Sequence, residues 1–382
     1  MPNTPRLKEM VTDLIATPSV SSTLPQYDLS NLEVVHKLTN WLEPLGFDIV
    51  ISPISGRPGK ANLIANHGRG EGGLVLAGHT DTVPLDEHLW QTDPFKLTEQ
   101  GDRWYGLGTC DMKSFFALVI EALAPLMGRP FKQPLTILGT ADEESSMSGA
   151  RALTAAQMNH ARFAVIGEPT SLAPVTQHKG IMMLSLKIKG SSGHSSNPDL
   201  GNSALDATAR VLDELCAFRE ELRKKYRNKA FEVDYPTLNL GCIHGGDNPN
   251  RICDHVDLAF DVRVLPGMDN LQIKEEIDAR LSPKLADLGL TVNLELLHPS
   301  TPPFLSSGDE LATELGKLTG ANPCSVAFAT EAPYLTDLGM QTVVLGPGSI
   351  DQAHQPNEFI DLQQIDPTIA IIRALIEKYC LS

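Results

Sequence analysis

The sequence predicts an α/β fold interrupted by an α+β insertion, and three observations predict it. Short, wholly apolar runs alternate with helical stretches, the pattern of a sheet covered on both faces. Polar residues able to do chemistry come directly after several of those runs. Near Gly180 the strands become longer and partly alternating beside a long charged helix, and α/β character resumes after the Pro-rich His298 to Phe304.

A first helix is expected from Thr4, with Pro5 at its first position and Leu7, Met10, Val11, Leu14 and Ile15 at helical spacing. A second carries a capping box, Ser30-x-x-Glu33, a stripe of Leu32, Val35, Leu38, Leu42 and Leu45, and Gly46 as its stop. Apolar runs at 47–51, 62–66, 74–77, 135–138 and 163–166 read as strands, with helices over 113–127 and 148–157. The insertion reads as strand 182–189, helix 205–227, strand 258–265, helix 270–281 and strand 291–296, a β-α-β-β-α-β-like order. A strand at 343–345 and a helix over 368–379 close the chain. The expected division is an α/β domain at 1–180 and 298–382 around an inserted α+β domain at 181–297.

Composition removes several function classes. The 382 residues include 31 basic and 47 acidic ones, a net charge of −16, which leaves little material for a basic surface that grips nucleic acid. Six scattered cysteines with no C-x-x-C pair argue against a disulfide framework or a thiolate zinc finger. Arg6, Lys8, Glu9 and Asp13 stand where a signal peptide needs an apolar core, and Glu121 and Pro125 interrupt the most apolar stretch. The expectation is a cytoplasmic protein with no membrane partner.

The residues past the strand ends carry the chemistry. Run 74–77 leads into Gly78-His79-Thr80-Asp81, run 135–138 into Asp142-Glu143-Glu144, and run 163–166 into Gly167-Glu168-Pro169. Ligands in open α/β sheets bind beyond the carboxyl ends of the strands, so these side chains converge if the strands are neighbours. Asp111 before a helix and His354 after a late strand fit the same scheme. Two imidazoles among several carboxylates suit zinc, cobalt or manganese better than calcium. Asp81 is placed to orient His79, and of the adjacent Glu143 and Glu144 one is free to ligate a metal and the other to act as general base. Singly, each has an ordinary structural reading as a cap, a turn residue or a solvated helix start. Five such coincidences at strand ends favour a site.

These segments, with Gly106 to Lys113 and Ala353 to Glu358, resemble the aminoacylase/carboxypeptidase family of co-catalytic zinc hydrolases, in order and spacing over nearly the whole chain. The resemblance implies a metallopeptidase-like mixed sheet flanked by helices, with an inserted α+β lid and dimerisation domain. It also implies two zinc ions, with cobalt able to replace zinc, bridged by Asp111. His79 and Glu168 would hold one and Glu144 and His354 the other, with Glu143 as general base and acid and Asp81 behind His79. A cis peptide at Asp111–Met112 and a homodimer are implied by the same likeness. Gly190-Ser191-Ser192-Gly193-His194 matches a motif whose histidine stabilises the oxyanion in a partner's site. Ser114 departs from the family's usual glycine.

Further segments, Thr140 to Glu144, Tyr235 to Gly241, Gly245 to Asp247, Asn250 to Cys253, Thr330 to Pro333 and Leu345 to Ile350, resemble the branch that deacetylates an N-acetylated diamino acid. Such a small-molecule substrate offers an α-carboxylate, an acetamide and a distal ammonium. Arg251 and Arg263, with the Gly346 to Gly348 turn, are candidates for the carboxylate. Glu331, an acid in an apolar segment, is the candidate for the ammonium, and Asn250 and Thr330 are further substrate-binding candidates. The alternatives are a sister desuccinylase, aminoacylase or dipeptidase, and, in another class, a metal-binding protein without catalysis. No G-x-S-x-G elbow supports a serine hydrolase.

Overall fold

A computed structural model gives the fold and describes residues 5–381. The chain divides into two compact units. One runs to Thr176 and resumes over Ser306–Cys324 and from Thr330 onward; the other comprises Gln177–Leu305 and Ser325–Ala329.

The first unit is mixed α/β. Its sheet runs, in spatial order, Asp48–Pro53, Ala61–His67, Leu135–Thr140, Leu74–His79, Phe163–Ile166 and Gln341–Val344, with Val175 paired to Val344 beyond. The central four strands from Leu135–Thr140 to Gln341–Val344 are mutually parallel, and the two before them are antiparallel. Leu74–His79, Leu135–Thr140 and Phe163–Ile166 are buried at every position, as parallel strands covered on both faces must be. Helix Ser114–Leu123 is buried at every position except Glu121, and packs against helices Leu7–Ile15 and Ile365–Ile376 in one apolar core. Register aligns the strand ends. His79 lies opposite Thr140 and Ala77 opposite Ile166, so three neighbouring strands end together and deliver their next residues to one place.

The second unit is a four-stranded antiparallel sheet in the order Thr237–Gly245, His255–Val264, Gly180–Lys189, Thr291–Leu296. Helices Ala204–Lys225 and Asn270–Ala286 bury one stripe each, including Val211, Leu215, Phe218, Ile273, Ile277 and Leu281. That stripe meets the alternating Met182, Leu184, Leu186 and Ile188.

Several expectations need correction. The first helix begins at Leu7, after Arg6 as its cap, so Pro5 stands outside it and Thr4 lies outside the described residues. The Ser30–Glu33 capping box does not form. Ser30 Oγ instead donates to the Gly59 carbonyl at 2.7 Å and accepts from Leu32 N at 3.2 Å. The helix expected over 148–157 is only Ser148–Arg151, and the edge strand Thr237–Gly245 was not expected from the sequence. All six cysteines are free, and among the described residues no helix is long and apolar enough to cross a membrane.

Candidate metal centre

The converging strand ends bring His79, Asp111, Glu143, Glu144 and Glu168 together. Ligand atoms of His79, Glu143 and Glu168 lie within 4.8 Å of one another, as do those of His79, Asp111 and Glu144. His354 joins them from the loop after Gln341–Val344, in a left-handed conformation at φ 60°. The closest pairs form a row. Glu168 Oε1 is 3.8 Å from His79 Nε2, which is 2.9 Å from Asp111 Oδ1. Asp111 Oδ2 is 3.7 Å from His354 Nε2, which is 3.0 Å from Glu144 Oε2. Asp111 therefore turns one oxygen toward each imidazole. The peptide after it, Asp111–Met112, is cis.

The electrostatics of the row favour cations. Among the described residues no Lys or Arg pairs with Asp111, Glu143, Glu144 or Glu168. Burial, then the charges of Glu168, Glu144 and Glu331, outweigh the pull of His79 and hold the Glu143 carboxyl well above its ordinary value. Burial and the charge of Asp111 do the same to Glu168. The hydrogen bond to Glu144 pushes His354 up to about 9. Glu143 and Glu168 thus hold protons more tightly and the imidazoles gain charge, while against burial the hydrogen bond and charge of His79 keep Asp111 below its ordinary value. The mixed N/O donor set and the buried, unpartnered Glu144 Oε1 fit two divalent cations.

The supporting shell differs from expectation at Asp81. His79 Nδ1 donates to the Asp81 carbonyl at 2.9 Å, while the carboxylate stands 3.8 Å away. Its Oδ2 accepts Glu144 N at 3.2 Å, and its buried Oδ1 has no partner. A carbonyl can only accept, so Nδ1 carries a proton, and Nε2, now beside Asp111, is the nitrogen that would ligate a cation.

Sequence reasoning offered Asp142 only as a helix cap or dipole partner, but the cap is Met147 and Asp142 shapes the turn that carries Glu143 and Glu144. It sits at φ 64°, and its carboxylate accepts the hydroxyls of Ser21, Ser145, Ser146 and Ser148 and pairs with Arg57 at 3.1 Å. Burial opposes its charge, yet the serine hydroxyls and Arg57 hold the carboxyl below its usual value. A cluster of three serines just after Asp142 was the available signal.

This geometry agrees with the family comparison, in which residues 75–378 match the model of peptidase family M20/M25/M40. The chain belongs to peptidase family M20/M25/M40. As a member it is a hydrolase of amide bonds. A relative from Pasteurella multocida, named acetylornithine deacetylase, is 46% identical, with 100% of each chain covered. Among solved structures, aminopeptidase PepT from Bacillus cereus matches with a TM-score of 0.76 at 20% identity, covering 98% of each chain. A dinuclear metal-binding M20 peptidase from Bacillus subtilis matches with a TM-score of 0.69 at 16% identity, covering 97% of each.

The remaining site residues of this M20 chain are placed variously. Glu331 is buried, accepts Thr140 Oγ1 at 2.8 Å through Oε2, and keeps a buried Oε1 with no partner. Burial pushes it up to about 7. Thr330 is buried, and its Oγ1 accepts Ala332 N at 3.2 Å. The Gly346 and Gly348 amides are not free for a carboxylate, a correction to expectation. They donate inside the fold to Thr170 Oγ1 at 3.3 Å and Gln364 Oε1 at 2.6 Å. Gly346 is there because a Cβ would meet the Gly167 carbonyl oxygen at 2.1 Å. Ser114 is buried, and its N–H closes the loop onto the Gly108 carbonyl at 3.2 Å.

In the second unit, Asn250 and His194 are exposed on loops. Arg251 pairs with Asp247 at 2.6 Å, and Arg263 Nε donates to Asp261 at 2.9 Å. His194 Nδ1 accepts Ser196 N at 3.2 Å, which leaves Nε2 as the nitrogen to carry a donor proton.

Proposed function

We propose that this chain removes the acetyl group from N2-acetyl-L-ornithine, giving acetate and L-ornithine for arginine biosynthesis in the cytoplasm. The observation that carries the reading is end-to-end identity of 46% with a relative named for that reaction. The donor row supports it: Asp111 would bridge two cations, His79 and Glu168 holding one and Glu144 and His354 the other. Zinc is the expected metal, with cobalt a substitute.

Such cations, when bound, supply Lewis acidity to the acyl carbonyl and acidify water. Glu143, raised in proton affinity and adjacent to the row, takes the proton from the attacking water on a carboxylate oxygen. It then returns that proton to the departing amine. The Asp81 carbonyl keeps His79 in its ligating tautomer. His194, with Nε2–H left as its donor, donates to the oxyanion in the site of a second copy. Residues 181–297 would form the lid and the dimer surface.

For substrate recognition, Asn250, Arg251 and Arg263 are the candidates for the α-carboxylate. Among the described residues Arg263 engages Asp261 through its Nε, which leaves its two terminal nitrogens for a bidentate partner. Glu331 is the candidate for the ammonium, because its orphaned Oε1 is a buried acceptor lacking a donor.

The test is kcat/KM on N2-acetyl-L-ornithine and N-succinyl-diaminopimelate side by side. We expect the acetylated substrate to be favoured by about 100-fold or more. Preference for the succinyl compound would reassign the chain to a desuccinylase. Absence of activity on any N-acyl amino acid would make it a metal-binding protein.

A further inference from the structure

Glu358 is a buried carboxylate with no part in the proposed hydrolysis. Its Oε1 accepts three backbone N–H groups, from Gly108 at 3.0 Å, Cys110 at 2.7 Å and Asp111 at 3.0 Å. Its Oε2 shares the Gly108 N–H at 3.1 Å. Neighbouring backbone N–H groups converging on one point form a nest, a concavity that selects an anion over a neutral acceptor. Here the chain supplies the acceptor itself, a carboxyl that burial and the charge of Asp111 push up to about 8 against the pull of the three N–H groups.

The same residue is tied to that loop by its main chain. Its carbonyl accepts Gly106 N at 3.1 Å, and the next residues, Phe359–Asp361, pair antiparallel with Arg103–Tyr105. Beyond Asp111, Lys113 is buried and donates to the carbonyls of Leu14 at 2.9 Å and Thr17 at 3.0 Å. The segment delivering Asp111 is thus held on both sides. One of those holds comes from the short stretch that also delivers His354.

We propose that Glu358 is a positioning residue for the metal centre. By fixing the Asp111 backbone to the segment that carries His354, it sets the separation of those two side chains. It thereby sets the affinity for the cation they share. The proposal rests on the two-cation reading of the donor row. Glutamine at this place has the same shape but must turn an NH2 donor toward N–H groups at one end of the nest. The loop carrying Asp111 must then retreat.

The test is calorimetric titration of Co2+ into chelator-stripped wild-type protein, Glu358→Gln and Glu358→Asp, with circular dichroism and the Tm of the stripped proteins as folding controls. Wild type is expected to take up two Co2+ per chain. A folded E358Q should bind one of them about tenfold or more weakly. Its kcat should fall with KM unchanged, and excess Co2+ should recover part of kcat. E358D, which keeps the carboxyl but withdraws it by one methylene, should fall between the two. Wild-type affinity for both ions in folded E358Q overturns the positioning role and leaves the two-cation centre standing. No uptake by wild type overturns that centre and this proposal together. If E358Q does not fold, E358D carries the comparison, and wild-type affinity there overturns the proposal.

Discussion

The ring of His79 is oriented by the main chain of Asp81: Nδ1 lies 2.9 Å from the Asp81 carbonyl oxygen, nearer than any carboxylate oxygen of that residue. Asp81→Asn preserves this bond and the tautomer it enforces. The expected result is wild-type metal content with kcat lowered by about tenfold, reflecting loss of the carboxylate's charge alone. Loss of metal in D81N, read by elemental analysis, would show that the carboxylate and not the carbonyl is the orienting group.

Glu143 is assigned to proton transfer and not to metal holding. Glu143→Ala should lower kcat by roughly 10²–10⁴ while both cations remain bound. Full hydrolysis by this variant would sink the mechanism, and loss of metal with activity would turn Glu143 into a ligand.

Gly149 lies against the strand end that presents Glu143 and Glu144. Its N–H donates to the Ala141 carbonyl at 3.0 Å, and its own carbonyl accepts Asn62 Nδ2 at 2.9 Å. A Cβ there would sit 2.4 Å from the Ala141 oxygen and 2.5 Å from Asn62 Oδ1. Gly149→Ala should lower both Tm and kcat, at a cost of about 1–3 kcal/mol typical of overpacking. An unchanged Tm would mean that this turn yields without strain.

Much of the centre was legible because its residues come directly after apolar runs. His79, Glu143, Glu144 and Glu168 needed only the prediction that three runs are neighbouring parallel strands, and register then brings them together. What the sequence concealed depends on partners far along the chain. Ser30 has the spacing of a capping box, yet its hydroxyl goes to Gly59. The helix expected through residue 157 stops because Thr154 and Gln157 bond each other locally in a turn, Thr154 N and Oγ1 both reaching Gln157 Oε1 at 2.9 Å. The missed strand Thr237–Gly245 is a sheet edge with a register shift between Leu240 and Cys242 and an exposed second half. It therefore lacks the apolar density of the buried strands. Asp81 was assigned through its side chain because main-chain acceptors leave no mark in a sequence.

His194 carries the prediction about assembly. Mixing inactive His194→Ala with inactive Glu143→Ala under conditions that exchange subunits should restore activity to about a quarter of wild type. Random pairing in a two-fold dimer gives that share of complete sites. If the mixture stays inactive while heterodimers form, the histidine does not serve a neighbouring copy.

Every proposed cation donor, from His79 to His354, belongs to the unit that excludes Gln177–Leu305. The proposed cation donors and the proposed carboxylate readers are thus written on separate stretches of the gene. If those readers choose the amide, exchanging the middle third of such a chain would change that choice, and replace His194, without rewriting a single proposed cation donor. One scaffold is in this way open to many diets.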